Sequence, residues 1–144
     1  MLKSVAMLVC GVLCLASIGF AQNSGDRQYY SAWTKHSTKN YYYRNYNFKK
    51  AAGDEKYTYH YAIYFPSRGR KLFMYNPQSR KYWGAWDGEK YSLLPAEKQK
   101  SSIDEIAAED FPSFASAPPI PGSTDKVAMI PPPKEFPKLD DDRP

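Results

Sequence analysis

Cysteine is nearly missing. The chain has only Cys10 and Cys14, both inside an apolar leader. A chain cut after that leader has no thiol. That excludes a disulfide framework, thiolate zinc sites and a cysteine nucleophile. Histidine is almost as scarce, with only His36 and His60, too few for a metal centre without other ligands. There is no Gly-x-Ser-x-Gly elbow, and no glycine-rich run of the form that cradles phosphate. Composition alone leaves a Ser-His-acid triad open. Acids are sparse before residue 100: Asp26, Asp54, Glu55, Asp87, Glu89 and Glu97. Most fall in predicted turns, where carboxylates serve turn geometry and solvation, so a glycosidase pair has little to draw on. The reading is therefore non-enzymatic, with no catalytic residue, cofactor or metal ligand assigned.

The leader reads as a secretory signal over residues 1–21. Lys3 supplies the positive start, residues 5–20 are almost wholly apolar, and Gly19-Phe20-Ala21 offers small residues before a cut after Ala21. A retained anchor is the rival reading, since roughly 16–18 apolar residues is borderline for spanning a bilayer. Val9 and Leu13 precede the cysteines where a lipoprotein signal wants a small residue. The expectation is export to the periplasm, cell surface or medium, with no membrane span after cleavage.

What is abundant is tyrosine. All 13 lie between Tyr29 and Tyr91. After a short linker, 22–27, aromatic segments recur between turn signals at a spacing that predicts a small antiparallel β-meander of five or six strands over 28–95. The strands are placed at 28–34, 40–48, 56–65, 71–75, 81–86 and 90–94. The third is the clearest. Tyr57, Tyr59, Tyr61, Ile63 and Phe65 alternate with Thr58, His60, Ala62 and Tyr64, so the two sets take opposite faces. Gly84 suggests a bulge or a close backbone approach, and Asp87-Gly88 signals a hairpin.

One short helix is expected in the region 96–111. Ser102 to Glu105 fits a capping box, Ile103 and Ile106 share a stripe, and Pro112 ends it. Beyond it, nine prolines between 112 and 144 predict an acidic, disordered tail of polyproline character. Within it, Val127-Ala128-Met129-Ile130 is an apolar island with the means to dock back. Pro118 to Pro121 and Pro131 to Pro133 read as spacers or as ligands for a partner's aromatic groove.

Charge divides along the chain. Residues 22–100 carry 15 Lys/Arg against 6 Asp/Glu, and residues 101–144 carry 4 against 9. In the basic half, cations interleave with rings, a pattern that suits sugar or planar ligands bearing negative charge. Tyr75, Arg80, Tyr82, Trp83 and Trp86, around the last hairpins, are the expected binding surface. The competing reading makes the rings core and the cations guards of sheet edges. An anionic cell-surface polymer or envelope protein is the expected partner. Nucleic acid fits formally but suits an exported protein poorly. A self-assembling envelope subunit and a small exported enzyme or inhibitor are the alternatives, and the oligomeric state stays open.

Tyr59-His60-Tyr61-x-Ile63-Tyr64-x-Pro66, Tyr75-Asn76-Pro77 and Tyr82-Trp83-Gly84 resemble motifs of small exported tyrosine-rich proteins of planctomycete bacteria. The likeness continues through Tyr91 to Leu94, Ser102 to Ile106 and Met129 to Pro133. It implies a bacterial exported context and brings no activity, cofactor or site residue with it. Tyr75-Asn76-Pro77 followed by Tyr82-Trp83 also resembles one kelch propeller blade, but a lone copy cannot close a propeller.

Overall fold

The structure is a computed structural model, and it describes residues 27–138. The expected signal peptide, the linker up to residue 26 and the final six residues lie outside the described residues. Among those described, no helix is long and apolar enough to cross a membrane.

Among the described residues, seven strands form one open antiparallel sheet: β1 Gln28–Tyr30, β2 Thr34–Lys35, β3 Tyr42–Phe48, β4 Thr58–Tyr64, β5 Leu72–Asn76, β6 Lys81–Trp86 and β7 Tyr91–Leu93. The order is β1-β3-β4-β5-β6-β7, and β2 also pairs with β3. β1 and β2 are two halves of one edge strand. Gln28 faces Phe48 and Tyr30 faces Tyr46, whereas Thr34 faces Tyr43, so the register slips by one residue between them. At the break, Ser31 Oγ accepts from Asn45 N at 2.8 Å, standing in for a ladder carbonyl. The expected meander is thus present, with its first strand broken.

Alternation sorts the side chains into two faces. On one, Tyr46, Phe48, Ala62, Leu72, Met74 and Trp86 are buried. On the other, Ile63, Phe73, Tyr82 and Ala85 are buried. A second bulge lies in β6. Met74 pairs with Gly84 but Tyr75 with Tyr82, which leaves Trp83 as the extra residue.

The expected helix is corrected. The region 96–111 holds separate 3₁₀ turns, Ala96–Lys98, Ile103–Glu105 and Ala108–Asp110. Ser102 does cap the middle turn, its hydroxyl accepting from Asp104 N. A spacing of three suits a 3₁₀ turn as well as an α-helix, and Pro112 leaves too few residues to propagate one. Ile103 and Ile106 are buried against the Ile63–Phe73 face.

The expectation of a disordered proline-rich tail is also corrected, over 112–138. Ala115 exchanges both backbone bonds with Tyr91, at 2.9 and 2.7 Å, capping the β7 edge. The chain then crosses to the Tyr46–Trp86 face. There Ile120 and Met129 are buried, and a bridge between Pro119 and Ala128 folds the segment on itself. Prolines remove donors, but the remaining N–H groups find acceptors: Ile120 N meets Val127 O at 2.8 Å and Met129 N meets Pro118 O at 2.8 Å. Ion pairs join Arg27 to Asp125 and Arg68 to Asp104, so the acidic half lies on the basic half. One wrapping segment therefore covers one face of the sheet and part of the other.

Candidate binding surface

The five residues expected to bind together are divided between faces. Tyr75 and Tyr82 pack edge to face at 4.9 Å on the Ile63–Phe73 side, with Tyr82 buried. Trp83 and Trp86 lie on the opposite side, and Trp86 is 1% exposed beneath the C-terminal segment. Arg80 sits in the turn between β5 and β6 with φ +60°. The wrapping segment makes Trp86 a core residue, so these five share no single surface.

What the wrap leaves open is a row of tyrosines. The turns of 96–111 cover the β5–β7 end of their face, and the rings toward β1, β3 and β4 remain accessible. Tyr29, Tyr57 and Tyr59 are 47%, 40% and 41% exposed. The rings touch in two groups. Tyr29 meets Tyr57 at 5.0 Å, Tyr59 meets Tyr61 at 5.5 Å, Tyr61 meets Tyr43 at 5.4 Å, and Tyr61 stacks on Tyr75 at 6.4 Å. The contacts run both across and along the strands of a pleated surface, with β4 contributing Tyr59 and Tyr61.

Two shallow grooves follow this row. One, of about 300 Å³, is lined by His36, Tyr41, Tyr43, Tyr61, Ile63 and Tyr75. The other, of about 310 Å³, runs past Tyr57, Tyr59, Pro77 and Gln78. Tyr59 and Tyr61 join them. No Asp or Glu among the described residues lines either groove. Lys49 Nζ lies 4.9 Å from the Tyr57 ring centroid, which places a positive charge at one end of the row. Burial and neighbouring phenols raise the Tyr41 and Tyr61 hydroxyls above their ordinary range. At neutral pH both are protonated and able to donate and to accept. The arrangement offers ring faces, ring edges and neutral hydroxyls along two grooves that no carboxylate among the described residues lines.

Sequence alternation had already placed Tyr57, Tyr59 and Tyr61 on one face. It gave no sign of which face the tail would cover, and the expected contact set left out His36, Tyr41 and Tyr43. The residues supply no metal centre: no group of three or more His, Cys, Asp or Glu side chains is placed to hold an ion among the described residues. His60 is buried between Phe48 and Trp83 on the covered face, at 5.1 and 5.7 Å. Burial, and secondarily Lys50, lowers its pKa to about 4, so the ring is neutral. These features define the class: an open antiparallel sheet with one wrapped face and one partly open tyrosine face. No protein-family model, curated protein or solved structure matches the chain.

Proposed function

We infer that this chain is an exported, non-enzymatic binding module whose open tyrosine face holds an anionic surface polymer, with an acidic glycan as the ligand class. The observation that carries the reading is the set of tyrosines on this face, with Tyr57 and Tyr59 40% and 41% exposed, Tyr61 and Tyr75 partly buried, and no carboxylate among the described residues lining its two grooves. Stacked rings bind sugar C–H faces or planar groups over an extended length, and phenols supply hydrogen bonds without fixed charge. The basic balance of residues 22–100 draws an anionic chain toward the sheet, and salt weakens that attraction. The likeness to exported tyrosine-rich bacterial proteins and the signal-like leader support the setting.

The test is retention on immobilised alginate, with dextran as the uncharged control. Wild-type protein is expected to bind alginate and to elute as salt rises. The double variant Tyr57→Ser/Tyr59→Ser removes exposed rings and should elute at distinctly lower salt while its amide spectrum stays folded. Equal retention of variant and wild type would remove this face as the site. Equal retention on dextran would remove the anionic class.

A further inference from the structure

A second cavity lies on the covered face and does not depend on the tyrosine row. It measures about 350 Å³ and opens between the turn after β5 and the proline segment 118–123. That size is at the lower end for small-molecule sites and suits one ring-sized ligand. The rings of His60 and Trp83 form its wall, with Pro118 opposite, and Asn76, Ser79 and Gln99 add amides and a hydroxyl.

Both wall rings carry an unsatisfied polar atom. His60 Nδ1 and Trp83 Nε1 are buried with no hydrogen-bond partner, and His60 as a whole is only 7% exposed. Buried polar atoms are nearly always paired, so two orphans on adjacent rings at one cavity mark a place where something else completes the bonding. Among the described residues, no charged side chain lines the cavity. Lys50 packs beside it, however. A Cβ on the lining residue Gly122 would come within 3.1 Å of Lys50 Cε. The site thus combines an indole and proline walls for C–H faces with neutral amides and a hydroxyl for hydroxyl groups, and the Lys50 stem packs behind Gly122 with its charge felt at His60.

We propose that this cavity, walled by His60 and Trp83 beside Lys50, binds a single acidic monosaccharide unit of the hexuronate class. The carboxylate is placed toward Lys50, and the ring lies between Trp83 and the proline wall. Both nitrogens are closed to solvent as placed, so they meet the ligand's hydroxyls only if the imidazole and the indole turn toward the cavity.

Nuclear magnetic resonance titration of the mature protein with methyl β-glucuronide tests the assignment, with methyl β-glucoside as the neutral comparison. The expected result is a saturable shift of the Trp83 indole N–H and the His60 ring signals, with the glucoside binding at least about tenfold more weakly. Leu93→Trp, from an exposed position on the cavity rim, and Ser79→Trp, from another part of the rim, should each abolish the shift. Two blocking variants keep the test valid if one of them disturbs the fold. Tyr57→Ser/Tyr59→Ser should leave the shift unchanged, which separates this site from the tyrosine face. Absence of a saturable shift overturns the proposal, as does its survival in both blocking variants. Equal binding of the glucoside overturns the acidic class.

Discussion

Tyr46 donates its hydroxyl to Gln28 Oε1 at 2.5 Å in the centre of the covered face. The same oxygen accepts Ile130 N at 2.9 Å, and Gln28 Nε2 donates to Ala128 O at 3.0 Å. One amide therefore reads the backbone of the C-terminal segment on both sides, as a neighbouring strand would. The Tyr30 and Tyr91 hydroxyls both reach Ile130 O at 3.1 Å and complete the latch.

Gln28→Ala should break this latch. It leaves a buried phenol and two backbone groups without partners, which costs about 2–4 kcal/mol together. Urea denaturation should show a lower midpoint. Limited proteolysis should cut the 112–138 segment sooner than the sheet. An unchanged cleavage pattern would mean that apolar packing of Ile120 and Met129 alone holds the segment.

How much of this was legible in the sequence follows from where the partners lie. β3 and β4 were legible because alternation is local: Tyr42, Arg44, Tyr46 and Phe48 are buried and the residues between them are less so. The hairpin at Asp87-Gly88 was legible for the same reason, since Asp87 Oδ1 accepts from Glu89 N and Lys90 N. The docked tail was legible only at its apolar island, 127–130, where Met129 is buried and Val127 and Ile130 pack on the core. Its acceptors and donors are Gln28, Tyr30, Trp33 and Tyr91, remote in sequence, and proline content says nothing about distant partners. The candidate surface failed with it. Trp86 and Tyr59 look equally suited to bind until the covering segment buries one and spares the other.

Gly84 permits a close approach of β6 and β7. An added Cβ would lie 2.8 Å from Ser92 O, a backbone atom that cannot swing away. Gly84→Ala should destabilise the protein by about 1–3 kcal/mol, the range for overpacking, read as a shift in denaturation midpoint. Gly53→Ala is the control. Nothing lies within 4 Å of its Cβ, so the change should be within about 0.5 kcal/mol of neutral. Equal effects would point to backbone entropy and not to the contact with Ser92.

Arg44 is a buried cation with little to hold it. It is 7% exposed, its Nε and Nη1 have no hydrogen-bond partner, and its guanidinium stacks on Trp33 at 4.5 Å. Burial lowers its pKa, opposed by Tyr30 and Glu135. Desolvation of an unpaired charge outweighs a cation–π contact of about 1–2 kcal/mol. Arg44→Met, which keeps the length of the stem, should therefore leave stability unchanged or raise it by about 1–2 kcal/mol. A loss of stability in chemical denaturation would show that the Trp33 stack, or an anion held by Arg44, contributes more than desolvation costs.

His60 should make the fold sensitive to mild acid. Its folded pKa of about 4 lies below the ordinary imidazole value of 6.5, chiefly through burial and secondarily through Lys50. Between those values the unfolded chain binds a proton that the folded chain does not. The contribution is complete above pH 6.5 and is lost as pH falls toward 4, by roughly 2–4 kcal/mol in all. Phe48 and Trp83 already flank the ring, so His60→Phe fits among aromatic neighbours and carries no proton. Stability measured from pH 7 to pH 4.5 should fall more steeply in wild type than in His60→Phe. The low carboxylate pKa values of Asp87, Asp110 and Asp125 place their own losses at more acid pH. Parallel curves, or a His60 ring that titrates near 6.5 in the folded protein, would show that water reaches the imidazole from the cavity side.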